Sequence, residues 1–567
     1  MRLLDAAVMI ATLAGFVGYG LWRSRGTRDL PSFQLAGRRM PWPMVALSIM
    51  ATQASAVTFM ATPGQGYVAG LSFVQFYFGL PLAMVVLCVT LVPLYQRFRV
   101  VTAYEFLERR FDGKTRTLAA ALFLVQRGLS AGITLYAPAL VLSVILGWDV
   151  GLVCALLGAL VVGSITLGGS RAVSHTHALQ FSIIMATMAL AFVLVLRALP
   201  QGLGWSDALA VAGAAGKLKA VDLHFDPTSR YNLWAGLLGG FFLQLSYFGT
   251  DQSQVGRILT ASSQSQSKLG LLFNGLFKVP MQFGILLLGV LVFVFYQFHP
   301  APVFFNRAAA ARAASGPYAA EWHGAESDWN VSRAALARAL ERSRAAAREG
   351  DEATLARARA DARAADSIST AARTRSIAAI EATDPGTNTN DTNYVFLTFV
   401  LAHLPVGIVG LVLAAIFAAS MNVSSSELNS LATTTVVDIV KRLPWQSDER
   451  ALLLWSRGAT LFWTLFAVGF AQLAGRLGSL VEAVNIMGSL FYGTILGIFL
   501  TAFFLRRVGG TAVFVAALIA EAVVIGCWKL TPISFLWYNL VGCLLTMTLA
   551  FVFSLASRRA TPRHAPA

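Results

Sequence analysis

Thirteen apolar runs, each near the roughly 20 residues that cross a bilayer as a helix, leave this chain few architectures. They centre on residues 4–22, 43–66, 73–95, 117–146, 149–168, 177–198, 232–251, 270–297, 406–438, 450–474, 479–505, 510–528 and 535–557. Hydrocarbon offers no hydrogen-bond partner, so a crossing segment must satisfy its own backbone. The expected class is an all-α integral membrane protein. Only 13% of the residues are charged and 56% are hydrophobic, whereas soluble domains carry about 25% charge. Cys88, Cys154, Cys527 and Cys543 all lie in apolar spans, so no disulfide framework is indicated. The N-terminus has Asp5 at its head and no A-x-A site before the basic flank. It reads as a retained first span rather than a signal peptide.

The net charge of +16 could suggest a nucleic-acid partner, but the arginines sit mainly in loops, where positive-inside topology explains them. The bilayer is the expected partner and no nucleic acid is. Arg23, Arg25, Arg28, Arg38 and Arg39 follow the first span, and Arg97, Arg99, Arg109, Arg110, Lys114 and Arg116 follow the third. Later even-side gaps hold Arg171, Arg257, Lys268, Lys441, Arg442, Arg506 and Arg507, and the tail adds Arg558, Arg559 and Arg563. Opposite gaps such as Val68–Ser72 and Trp148–Asp149 hold almost none. The alternation predicts an N-terminus outside, a C-terminus in the cytoplasm and residence in the plasma (inner) membrane. Residues 299–392 interrupt the pattern with an Ala/Arg-rich insertion. Ala and Arg favour helix and EGDE near Gly350 suits a turn, so an external helical hairpin or a partly disordered loop is expected.

The segment ATQASAVTFMATPGQGYVAG, Ala51 to Gly70, is apolar yet carries helix breakers. Backbone is broken at membrane depth only where protein buries it or a cavity is lined by it. Freed carbonyls there can bind a cation and freed N–H groups an anion. A carrier with a central site follows, against the alternative of a Pro-kinked structural helix.

Five motifs in order resemble the sodium:solute symporter family from about Phe33 to Leu505. They are FQLAGRRMPWPMVALSIMATQASAVTF, GGSRAV before the sixth span, YFGTDQSQVGR after the seventh, SSELNSLATTTVVDI in the ninth and EAVNIMGSLFYGTILGIF in the eleventh. The resemblance implies a 5+5 inverted-repeat core with discontinuous helices among about 13 transmembrane helices. The chain then divides into 1–40 (first helix and loop), 41–200 (first repeat), 201–231 (external loop), 232–298 (two helices of the second repeat), 299–392 (insertion), 393–508 (three further helices) and 509–567 (two C-terminal helices and tail). It also implies symport of a small-molecule solute with Na+ as coupling ion and no cofactor. The broken helix near Ala56 opens the first repeat, and the seventh span is its inverted partner.

Sodium is a hard cation that takes oxygen ligands. The resemblance places its site on the carbonyls of Ala56, Phe59 and Ala419. Two hydroxyl positions of the family fall on Asn422 and Val423, and Val423 offers no ligand. The family's acidic residue on the sixth span falls on His177, within His175, Thr176 and His177. Ser425 and Ser426 match hydroxyls that some members use for a second sodium. Three readings stay open: sodium held by Asn422 and the shifted serines; a proton carried by His177, since imidazole titrates near neutral pH; or an uncoupled facilitator or sensor.

Gln53, Ser55, Thr58 and Gln65 at the first break, Gln244 and Tyr247 on the seventh span and Asn485 on the eleventh are the substrate candidates. Each could instead be an interhelical hydrogen bond. Buried charge is costly without a partner. Arg127 near mid-depth either clamps a substrate carboxylate or, as preferred, pairs with Glu427. Glu482 lies near a span end, and Lys278 and Arg457 near inner ends, where they are expected to snorkel. Sugar, polyol, amino acid, vitamin and organic acid all remain open, as does the oligomeric state. An enzyme is disfavoured: there is no H-E-x-x-H, G-x-S-x-G or Walker loop. A sensor with a built-in kinase is disfavoured because the tail ends at Ala567, shortly after the last span.

Overall fold

The computed structural model describes residues 2–24, 40–98, 100–442 and 449–558. Its principal helices, in chain order, are α1 (Leu3–Ser24), α2 (Trp42–Gln53), α3 (Ala56–Ala69), α4 (Leu80–Val89), α5 (Leu91–Phe98), α6 (Gly113–Leu146), α7 (Val150–Ala198), α8 (Gly240–Gly249), α9 (Gln252–Ile258), α10 (Gln264–Phe298), α11 (Ala319–Glu349), α12 (Glu352–Thr383), α13 (Thr392–His403), α14 (Ile408–Thr434), α15 (Glu449–Ala474), α16 (Leu480–Phe504), α17 (Gly510–Leu530) and α18 (Leu536–Arg558). Among the described residues there is no strand beyond a single bridge between Met40 and Ala261. Large apolar side chains stay exposed at helical spacing, as at Leu152, Leu156 and Leu160 on α7 or Leu461 and Leu465 on α15. That outer surface suits lipid, not water.

The expected count of thirteen crossings is not reproduced. Eight stretches among the described residues are long and apolar enough to cross, and Leu3–Phe16, Val150–Gly163 and Ala235–Gly249 are shorter apolar helices. The clearest departure is α7, one helix of 49 residues where two spans, 149–168 and 177–198, were expected. Its centre holds glycines but no proline. Glycine costs a helix about 1 kcal/mol and proline about 3, so the segment lacks a strong stop. The side chains of residues 164–178, with His175, Thr176 and His177, lie outside the described residues, as do residues 25–39 at the start of the first motif.

The first-repeat helix does break, but not at its proline. α2 ends at Gln53, and Ala54 and Ser55 leave helical geometry (ψ 65° and 170°) before α3 begins. Pro63 and Gly64 lie inside α3. Proline has no N–H to give the residue four back, so Pro63 frees the Phe59 carbonyl. The neighbouring glycines allow close packing: a Cβ on Gly64 would collide with the Thr392 carbonyl, and one on Gly66 with that of Leu286. α3 can therefore lie directly against α13 and α10.

A second break separates α8 from α9 at Thr250 and Asp251, with Asp251 capping α9 through its carboxylate. Its freed carbonyls are met by tyrosines, Tyr95 Oη donating to Gly249 at 2.6 Å and Tyr104 Oη to Thr250 at 2.9 Å. Residues 299–392 form a helical hairpin of α11 and α12, turned at Gly350 (φ +71°) and restarted by Asp351, whose side chain accepts from Thr354 N. It is anchored by Trp329 Nε1 donating to Ala301 O at 2.7 Å and by Arg373 bonding Val303 O and Asp391.

Candidate binding cavity and ion cluster

The first break, α8 ahead of the second, α6, α10, α14 and α16 converge on one cavity of about 110 Å³. Seven of the eight expected substrate residues line it: Gln53, Ser55, Thr58, Arg127, Gln244, Tyr247 and Asn485. Thr58 Oγ1 donates to Gln53 O at 3.1 Å and so ties the two halves of the break. Gln53 Nε2 donates to Asn274 Oδ1 at 2.7 Å, and Asn485 Nδ2 to Val481 O at 2.7 Å. Tyr247 Oη accepts from Gln254 Nε2 at 2.6 Å, its ring 5.6 Å from the Arg127 guanidinium.

Gln65 is the exception. It lies twelve residues beyond Gln53, about 18 Å along a straight helix, and lines a second cavity of about 520 Å³. There Gln65 Nε2 donates to Glu482 Oε1 at 3.4 Å. Glu482 also accepts from Arg230 and from Tyr231 Oη, both at 2.6 Å. These contacts tie α3, α16 and the segment before α8 together. On the same rim, the His224 N–H and the Lys219 side chain hold the Asp222 carboxyl below its ordinary range.

Arg127 already spends both Nη atoms on protein partners. Its Nη1 donates to Glu427 Oε1 at 2.8 Å, and its Nη2 bonds both Asp251 and the Tyr492 hydroxyl, the latter at 2.8 Å. Tyr492 Oη donates onward to Asp251 Oδ2 at 2.8 Å. All four residues are buried. The pairing with Glu427 was legible in the sequence and Asp251 was not. The signal lay in YFGTDQ, where an acid stands at a helix break between apolar runs. Two carboxylates against one guanidinium leave this cluster one negative charge in excess.

Lys278 corrects a second expectation. It does not snorkel to an interface: it is 2% exposed and lines the cavity. No ion pair or hydrogen bond to it occurs among the described residues, and its ammonium lies 5.5 Å from the Tyr77 ring. Arg457 is exposed, as a snorkelling residue would be.

At the cation positions taken from the family, Ala56, Phe59, Ala419 and Asn422 are buried and Ser425 is partly so. The Asn422 amide nitrogen has no partner. Ser426 is already engaged, its Oγ accepting from Arg257 Nη2 at 2.8 Å. That guanidinium is buried and has no acidic partner among the described residues. His177 cannot be placed, since its side chain lies outside the described residues. No group of three or more His, Cys, Asp or Glu able to hold a metal occurs among the described residues.

An all-helical membrane bundle with two broken helices facing a central polar cavity defines a secondary transporter of the inverted-repeat class. The sodium:solute symporter family model matches residues 33–320 and 365–520, and the chain belongs to that family. It is 27% identical over 493 residues to the human sodium-coupled monocarboxylate transporter 1, covering 87% of this chain and 67% of the relative. To the sodium-dependent multivitamin transporter of Oryctolagus cuniculus it is 27% identical, covering 88% and 66%. To the human sodium/iodide cotransporter it is 31% identical, covering 52% and 45%. The chain thus spans about two thirds of the first two relatives. A solved Na+-coupled sialic acid symporter in a substrate-bound outward-open state shares the fold, with a TM-score of 0.73 at 19% identity and 98% of both chains covered. The chain is a multi-pass membrane transporter and not an enzyme.

Proposed function

We propose that the protein carries out sodium-coupled symport of a small organic anion by alternating access. The observation that carries the anion is Lys278. An ammonium buried in a cavity wall without an acidic partner is costly, and a substrate carboxylate supplies the missing charge through a strong charge-assisted bond. The amides of Gln53, Gln244 and Asn485 then orient the rest of the molecule. A cavity near 110 Å³ suits a carboxylate of a few carbons. The names of two relatives, a monocarboxylate transporter and an iodide cotransporter, agree with an anionic substrate.

In this reading the N-terminus lies outside, the C-terminus lies in the cytoplasm of a plasma membrane, and the α11–α12 hairpin is external. The Glu482 cluster closes the outer path while Tyr247 stands below the cavity. Coupling is the differential affinity of each ligand for the two states. Purified protein screened by thermal stabilisation against short carboxylates, iodide, sugars and polyols tests the substrate class. A ligand at 100 times its Kd adds about 2.7 kcal/mol. Stabilisation by carboxylates supports the reading. Stabilisation by sugars or polyols alone removes it.

A further inference from the structure

We infer that sodium binds on the α6–α14 wall of the central cavity, between Glu427 and Ser130, and not at the family position by Ala56 and Ala419. This rests on the proposed symport and names its cation site. Glu427 spends only Oε1 on Arg127. Its Oε2 is buried and has no hydrogen-bond partner, and neither has Ser130 Oγ. Glu427 is 2% exposed and Ser130 0%, and both line the cavity. Ser130 and Thr134, one turn apart on α6, line the same cavity as Glu427. A carboxylate oxygen and a hydroxyl oxygen without hydrogen-bond partners belong to the ligand set a hard monovalent cation takes, and the Thr134 hydroxyl and cavity water can complete the shell. Gln126 Oε1, one turn before Ser130 on the same wall, is also buried without a partner.

Two further features favour this place over the family one. Val423 occupies a ligand position there, and Glu427 lies one turn beyond it on the same helix face. The lost oxygen is in effect replaced one turn along α14. The Arg257 guanidinium, bonded to Ser426, opposes a second cation close by. At the new site the charge also balances. Arg127, Lys278 and one sodium offset Asp251, Glu427 and one substrate carboxylate.

That balance supplies the coupling. In the empty cavity Arg127 and Lys278 offset Asp251 and Glu427. A sodium at Glu427 alone, or an anion at Lys278 alone, leaves a unit charge in a low-dielectric wall. Both together restore neutrality, so each favours the other, reciprocally.

Binding of ²²Na+ to the purified full-length protein, without solute, tests the site. Wild type is expected to bind. Glu427→Gln should raise the half-saturating sodium concentration by about tenfold or more, the scale of one lost charged contact. Ser130→Ala, which leaves the ion cluster intact, should raise it less but in the same direction. Asn422→Ala should leave it unchanged. Size-exclusion profiles and melting temperatures near wild type show that the variants fold. Unchanged binding in Glu427→Gln and Ser130→Ala, loss in Asn422→Ala, or no sodium binding by a folded wild type overturns the assignment. Sodium binding lost in Glu427→Gln by a protein that moves no solute would sustain the site and remove the transport reading instead.

Discussion

Replacing Lys278 by Gln keeps length and polarity but removes the charge. In the proposed complex the ammonium makes one charge-assisted hydrogen bond to the substrate carboxylate, and such bonds contribute about 1.5–3 kcal/mol. Lys278 is 2% exposed, so little solvent screening reduces that figure. The expected loss in anion affinity is therefore about 10- to 150-fold. Stability should change little, because the empty protein loses a buried ammonium that has no ion pair but also the charge that offsets Asp251 and Glu427. The assay is a pair of titrations on purified protein: thermal stabilisation by a short carboxylate at fixed sodium, and the melting temperature without ligand. A Lys278→Gln protein that melts as wild type does and binds the carboxylate within about twofold of it would refute the anion assignment, since that difference is well under 1 kcal/mol.

Other expectations follow from named contacts. Glu482→Gln should weaken the tie to Arg230 and Tyr231; Arg230 is well exposed, so the discounted effect is about 1 kcal/mol. That is about a fivefold shift toward an open outer cavity, read by thiol labelling of a cysteine placed at Ser55. Arg127→Leu leaves Asp251 and Glu427 buried without their cation and should cost about 3–5 kcal/mol. Adding Asp251→Asn and Glu427→Gln should restore part of the lost melting temperature, and no recovery would count against the cluster. Gly64→Val puts a side chain into the Thr392 carbonyl and should cost about 1–3 kcal/mol by overpacking, seen as a lower melting temperature.

Much of the site was legible because membrane depth converts sequence position into place. Polar residues beside a break in an apolar run gathered in one cavity, and Arg127 and Glu427, each lone charges in apolar spans, found each other. Gln65 went astray because residues near one break in sequence still climb 1.5 Å each along the helix. Lys278 was misread because depth was judged from the end of its span. α10 begins at Gln264, so the lysine stands four turns inside it. Asp251 hid in a motif read only for its aromatic, Tyr247. The extent of α7 was not legible either, since Gly-rich polar sequence between two apolar runs reads as a loop although it holds no proline.

The central claim is that a sodium gradient drives a small anion across the membrane through this cavity. Purified protein in proteoliposomes, with an inward sodium gradient and a radiolabelled short carboxylate outside, tests it most directly. The account predicts transient accumulation above the outside concentration, abolished when potassium or choline replaces sodium and strongly reduced in Lys278→Gln. Uptake that only equilibrates, or that proceeds equally without sodium, would contradict it.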